Sequence, residues 1–387
     1  MKKKLLVILS DYISSWIHKG EVGVRYYNPG NYFDEVHFLF TNDDKVDPLL
    51  LRPMVGDAQI YVHNYPEPTG FFRKTLGWHP YLMRTWAKGA LKLIQEISPN
   101  IVRCHGLFLN TFLAAELKKN TNIPVITSLH GNPDVDYLRG RLANNFKEKI
   151  IGKCQERLEK YCLKNMDHVI AVYSPIVPYL IKHKVKSYSV VHNVVAHNAV
   201  AKQNYDIDPT KVKLLCVGRQ TISQKDPKNI IRAVAQTKSY HLTLVGDGDL
   251  HAGLNELAVQ LDCADRIKFI RNLDNKSILE LMRASDIYIY HSINYEISKG
   301  CIEAALIGLP IILNDRFGEP AEELVDAGFI LVEDTPEAYS LALNNLVYDD
   351  ELRKYTAKNS KAYALAHWAP EVTESKVVDI YKEYMIL

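Results

Sequence analysis

A chain of 387 residues with 47% hydrophobic and 24% charged side chains has the make-up of a soluble globular protein, and it is long for a single core, so two domains are the default. A formal net charge of +2 speaks against a general nucleic-acid binder, and no run approaches the roughly 20 apolar residues of a membrane span. The six cysteines, Cys104, Cys154, Cys162, Cys216, Cys263 and Cys301, form no CxxC pair; several lie in apolar runs, which suits reduced thiols in the cytoplasm and argues against a zinc site.

The start, MKKKLLVILSDY, imitates a secretory signal. Its apolar stretch is only Leu5–Leu9 before Asp11, short of the roughly 7–15 residues such a region needs, so it reads as a basic lead-in to a first buried strand. Further strand-like runs fall at Val36–Phe40, Ile60–Val62, Ile101–Cys104, Val125–Ile126, Val169–Val172 and Tyr188–Val191. Helical spacing appears at about Tyr81–Ile97, Leu109–Lys119, Lys147–Leu163 and Ile176–Lys182. This alternation predicts a parallel sheet covered on both faces, with useful residues just beyond the strands' carboxyl ends. Asp11 to Glu21, His105-Gly106, His130-Gly131, Ser174 and His192-Asn193 occupy such places.

Residues 196–211 lose the periodicity and read as a linker. The alternation then restarts: strands at Val212–Val217, Leu242–Val245, Ile267–Ile270, Ile287–Tyr290, Ile311–Leu313 and Phe329–Val332, with helices between them. Helices over about Pro336–Leu346, Asp350–Leu365 and Pro370–Met385 close the chain. The expected fold is α/β, with two Rossmann-like parallel-sheet domains facing across a cleft. The first spans residues 1–198 and the second 208–367, with residues 368–387 forming a last helix.

The most informative stretch is DIYIYHSINYEISKGCIEAALIGLPIIL, residues 286–313. A buried strand runs into a polar loop, then a helix capped by Ser298 and ended by Gly308. A helix start offers backbone N–H groups and the positive end of a dipole, a standard seat for phosphate. Gly300 in the first turn either lets a ligand approach or permits close packing. Glu296 precedes the helix and Glu303 sits about one turn inside it, so both can face one pocket. The plain alternative is an ordinary helix start with solvated charges.

Two other features stand upstream. In VGRQTISQKDP, Val217–Pro227, Arg219 and Lys225 are placed to reach a shared anion, although a lone Arg and Lys after a strand are more often surface charges. In LVGDGDL, Leu244–Leu250, Asp247 and Asp249 imitate a metal-binding DxD, but a turn leading into a helix cap is the preferred reading.

Together, VGRxxxxxK, VGDG and ExxxxxxEAxxxGxP followed by GxPxEE resemble the donor domain of glycosyltransferase family 4, the group-1 transferases of the GT-B fold. The likeness is close over about 212–332. It extends more loosely to SLHG (Ser128–Gly131), VHNVV (Val191–Val195) and the terminal helix, where HWAPEV from His367 looks like the family's crossover to the first domain. The resemblance implies that Arg219 and Lys225 bind the diphosphate of a nucleotide sugar and that Glu303 binds the ribose. It implies that the backbone of Ser298, Lys299, Gly300 and Cys301 meets the distal phosphate and sugar, with Gly20 in a glycine-rich loop near the same phosphate. The base would lie near Arg271, Asn272 and Leu273, uridine being favoured over guanosine. His130 would face the transferred sugar, and His130 and Glu296 are the candidate catalytic residues. Two departures stand out. The family's two acids are eight positions apart; counting back from Glu303 gives Tyr295, with Glu296 one position later, so either the loop is one residue shorter in effect or Tyr295 replaces the acid, and Asp226 stands where the family has Gly after the Lys.

The implied reaction is retaining sugar transfer from a nucleoside diphosphate, without metal or cofactor, to a glycan or polyprenyl-linked acceptor in surface-polysaccharide synthesis. An epimerase on the same architecture and a non-enzymatic sugar-binding protein are the competing readings. Phe71, Phe72, Trp78 and Trp86, set among Arg73, Lys74, Arg84, Lys88 and Lys92, could rest at the inner face of a membrane or pack into their own domain. Lys147, Lys149, Lys153, Arg157 and Lys160 mark a second basic helix, more often a solvated face.

Overall fold

The structure, a computed structural model, describes residues 2–18, 23–134, 146–195, 201–221, 225–293, 296–316 and 321–386. The described residues form two compact units: the first takes in those up to Val194 together with those from Thr373, the second those from Val195 to Val372.

In the first unit the strands are β1 (Lys4–Leu9), β2 (Glu35–Phe40), β3 (Gln59–Asn64), β4 (Ile101–His105), β5 (Val125–Leu129), β6 (His168–Ala171) and β7 (Tyr188–Val190). They pair in parallel in the order β3-β2-β1-β4-β5-β6-β7. The second unit has β8 (Val212–Val217), β9 (Tyr240–Val245), β10 (Ile267–Ile270), β11 (Ile287–Tyr290), β12 (Ile311–Asn314) and β13 (Ile330–Val332), in the order β10-β9-β8-β11-β12-β13. Leu5, Leu6, Val7 and Ile8 are fully buried, as are Ile287, Tyr288 and Ile289. Strands sandwiched between helices lose contact with water on both faces, which is why they read as unbroken apolar runs. In each unit the strand order reverses beside its first strand, between β1 and β4 and between β8 and β11. Loops diverge there and leave room for a ligand.

The terminal helix, Pro370–Ile386, packs on the first unit from Thr373 onward. The buried Tyr381 hydroxyl accepts from Arg103 Nη1 at 2.6 Å, and Glu374 takes Gly30 N–H at 2.9 Å and pairs with Arg25 at 3.1 Å. Part of the expected linker is not a linker. Lys202 N donates to Ile307 O at 2.9 Å, its Nζ donates to Ser285 O at 2.7 Å, and Arg353 Nε donates to Tyr205 O at 2.8 Å, so residues 201–211 belong to the second unit. Polar composition suggested a spacer, but these side chains and carbonyls serve as anchors.

The short helices Ile13–His18, Arg52–Val55 and Phe71–Thr75 were not foreseen; four to six residues are too few to display a helical period. Two of the aromatics considered for a membrane surface turn inward: Phe71 and Trp86 are buried with ring centroids 5.9 Å apart, while Phe72 is exposed. No helix among the described residues is long and apolar enough to cross a membrane.

Candidate active site

The site begins with the backbone beyond β8 and β9. A Cβ on Gly246 would stand 1.9 Å from the Gly218 carbonyl oxygen, and one on Gly248 would stand 2.2 Å from that of Gln220. Only glycine lets these two loops touch. Gln220, 1% exposed, fastens them: its N–H donates to Asp247 O at 3.0 Å, its Nε2 to Gly246 O at 2.7 Å, and its Oε1 lies 2.7 Å from His251 Nδ1. The exposed Arg219 is therefore carried on a backbone fixed at the next residue.

Lys225 closes a small bridge with Thr221 through two backbone hydrogen bonds of 3.1 and 2.8 Å. Its ammonium reaches Glu296 Oε1 at 3.0 Å and lies 5.4 Å from the Tyr290 ring centroid. Gly218 makes room for this stack, since a Cβ there would meet the Tyr290 ring at 2.9 Å. Tyr290 Oη and Ser292 Oγ donate to the same carboxylate oxygen at 3.3 and 3.4 Å, and Arg316 Nη1 donates to the Glu296 carbonyl at 2.8 Å. Burial alone would raise the Glu296 carboxyl. The Lys225 and Arg316 cations and the Tyr290 hydroxyl outweigh it and hold the group below its ordinary value, so it stays ionised.

The helix Lys299–Ile307 starts as expected: Ser298 Oγ accepts from Cys301 N at 3.2 Å, and Gly308 ends it in the left-handed region at φ 91°. Gly300 has a packing reason, because a Cβ there would come 2.5 Å from Tyr288 Oη. Cys301 is buried, which pushes its thiol up to about 11; its N–H is taken by the Ser298 cap. Glu303 is also buried, one turn in, and accepts from Asn275 Nδ2 at 2.9 Å. Burial pushes its carboxyl up to about 7 against the opposing pull of Asn275 and Lys299. The two acids thus differ: Glu296 is matched to a cation, Glu303 to an amide.

Beyond β10, Arg271 pairs with Asp247 Oδ1 in a solvent-exposed contact, and Asp247 also accepts from Gly248 N at 2.9 Å. Asn272 is exposed and Leu273 half-buried. Gly20 and Tyr295 lie outside the described residues.

His130 belongs to the first unit. It follows β5, is exposed, and its Nε2 lies 3.2 Å from His105 Nδ1 at the end of β4. Tyr26 Oη stands 3.4 Å from each of these nitrogens, and the Tyr173 hydroxyl donates to the His130 carbonyl at 2.7 Å.

Sequence reasoning missed Tyr290, Gln220, His291, Arg316, Asn275 and Tyr26. Gln220 directly follows Arg219, and His291 opens the polar loop after the strand Ile287–Tyr290; these were the available signals. Tyr290 read as core because its ring continues an apolar strand. Arg316 and Asn275 carry no local pattern; only packing brings them to the two acids.

The profile described as Glycosyl transferases group 1 matches residues 198–363, and that described as Glycosyltransferase Family 4 matches 34–198. An uncharacterized glycosyltransferase of Methanocaldococcus jannaschii is 20% identical over 79% of this chain and 82% of its own. The amylovoran biosynthesis glycosyltransferase AmsD of Erwinia amylovora is 29% identical over 43% of this chain and 47% of its own. Among solved structures, Anabaena HepE in complex with UDP-glucose superposes with a TM-score of 0.71 over 98% of this chain and 99% of its own, at 16% identity. Two adjoining profiles account for most of the chain and the sheets share the α/β architecture of GT-B structures, so this chain belongs to the group-1, family 4 glycosyltransferases.

Proposed function

We propose that the protein transfers a sugar, with retention at the anomeric carbon, from a nucleoside-diphosphate sugar to a glycan or lipid-linked acceptor in surface-polysaccharide synthesis. The observation that carries this reading is the Lys225–Glu296 pair, 3.0 Å apart, formed where the strand order reverses and next to the Ser298-capped helix start. A departing diphosphate needs fixed positive charge. Arg219, Lys225 and the first turn of the Ser298 helix supply it without a metal, and preorganised donors of this kind cost no rearrangement as charge develops. Lys225 is then shared between the phosphate and Glu296, which leaves the Glu296 carboxylate to hold sugar hydroxyls. Glu303 accepts from the ribose hydroxyls. Arg271, Asn272 and Leu273 border the base, with uridine favoured, and His130 orients the transferred sugar.

The relatives support the direction of this reading. HepE was solved with UDP-glucose, and AmsD is named for amylovoran biosynthesis. The exposed Phe72, followed by Arg73 and Lys74, suits brief contact with an anionic membrane where a lipid-linked acceptor would sit. Incubation with radiolabelled sugar nucleotides should give slow donor hydrolysis that persists in EDTA, and calorimetry should detect UDP in preference to GDP. Complete inertness toward every donor, with no nucleotide binding, would remove this reading; activity lost in EDTA and restored by a divalent cation would remove its metal-independent part.

A further inference from the structure

Asp226 replaces the glycine that the family carries after its lysine, and the structure gives the replacement specific partners. Asp226 N donates to His291 Nδ1 at 3.0 Å. Its carboxylate accepts from Lys228 N at 3.2 Å and pairs with Lys228 Nζ at 2.8 Å, which offsets the added negative charge beside the site. On the other side of the ring, His291 Nε2 lies 3.3 Å from Asp334 Oδ2, and the Asp334 carbonyl accepts from Asn229 Nδ2 at 2.8 Å. His291 is 6% exposed and immediately follows Tyr290 at the end of β11.

The polarity of this chain of bonds is forced. A backbone N–H can only donate, so Nδ1 must carry the lone pair. A neutral imidazole then has its proton on Nε2, facing a carboxylate that accepts it. The consequence falls on the lysine. Thr221 holds the backbone of Lys225 from one side, and His291 holds the very next peptide from the other. Two successive residues thus divide the work, with Tyr290 beneath the Lys225 side chain and His291 against its backbone. Asp334, beyond the end of β13, ties this arrangement to a third loop of the same unit.

We propose that His291 is a positioning residue of the donor site: through Asp226 it fixes the Lys225 peptide, and through Asp334 it is itself held in the one tautomer that can do so. This rests on the reading of Lys225 as a ligand of the nucleoside diphosphate.

The test uses the full chain, with UDP as the probe in titration calorimetry and a sugar-nucleotide hydrolysis assay. Lys225→Ala should weaken UDP binding by about tenfold or more, as expected for lost charged hydrogen bonds. His291→Leu should raise the UDP dissociation constant about fivefold, and donor KM more than kcat, whereas His291→Asn, which keeps an acceptor near Nδ1, should stay within about twofold. Asp334→Ala, a change at a partly exposed position, should weaken binding about twofold to threefold and keeps the test open if His291→Leu fails to fold. Wild-type affinity in His291→Leu or Asp334→Ala, alongside a weakened Lys225→Ala, overturns the inference and leaves the donor-site reading intact. Equal losses in His291→Leu and His291→Asn overturn it too, since ring packing rather than the hydrogen bond would then matter. Unchanged affinity in Lys225→Ala removes the donor-site reading itself, and the inference with it.

Discussion

The corresponding strand ends of the two units solve one geometric problem in opposite ways. In the first unit β1 pairs with β2 up to Leu9 and Phe40; in the second β8 pairs with β9 up to Val217 and Val245. One residue further on stand Ser10 and Thr41 in the first unit, Gly218 and Gly246 in the second. Ser10 and Thr41 fill the gap with side chains whose hydroxyls lie 3.0 Å apart. Gly218 and Gly246 leave no side chain, and their backbones touch. The same strand order therefore yields a rim of hydroxyls in one unit and a bare peptide rim in the other. The second pairs that rim with a lysine, a carboxylate and a capped helix start. Topology sets where a ligand can sit, and the side chains after each strand decide what chemistry waits there.

The largest effect should come from undoing the contrast. Gly246→Ala drives a Cβ into a carbonyl oxygen that no flexible side chain can vacate, and should cost about 3 kcal/mol or more, whereas Thr41→Ala in the first unit should cost about 1 kcal/mol. Urea denaturation of both variants measures this; similar losses would mean that the two rims are equivalent.

The units should also respond to pH with opposite sign. Burial raises Glu303 from 4.5 to about 7, so the stability tied to its protonated form is full below 4.5 and is lost as pH rises through 7. His168 in the first unit is buried between Ser187 Oγ at 2.8 Å and Ser189 Oγ at 2.9 Å, and burial, with the Arg103 charge adding to it, lowers it from 6.5 to about 4. Its contribution is full above 6.5 and is lost as pH falls through 4. Each amounts to about 3 kcal/mol. Melting curves across pH 4–8 should show Glu303→Gln gaining on the wild type toward alkaline pH and His168→Asn losing its disadvantage toward acid. Parallel curves would place both groups in water.

On the binding side, Lys225→Ala should weaken nucleotide affinity by ~1.5–3 kcal/mol, while a change at the first unit's rim such as Ser10→Ala should leave it alone. The smallest effect expected is Ser298→Ala, about 1 kcal/mol from the lost cap, read as a lower melting temperature. No change there would mean that another acceptor already satisfies the Cys301 N–H.

Much of this was legible in the sequence. The buried strands announced themselves because a parallel sheet covered on both faces demands apolar residues without interruption. The Ser298 cap and the Gly308 stop were readable because capping is settled within a few residues. Less legible was the meaning of Gly300, where a ligand and close packing predict the same residue; the Tyr288 hydroxyl supplies the packing reason. The polar stretch at 201–211 misled because composition cannot tell a spacer from a segment pinned by hydrogen bonds of its own backbone and side chains.

The order of residues along this chain was sufficient for its longer helices, its strands and the places where chemistry gathers, since hydrophobic spacing and capping act over a few neighbours. Which groups meet was left to the folded chain. Lys225 with Glu296, Asn275 with Glu303, Asp226 with His291 and Arg103 with Tyr381 are all distant in sequence. Each pair exists because the crossing order of the strands carries remote loops, or the returning last helix, to a common spot, and local sequence holds no record of that order.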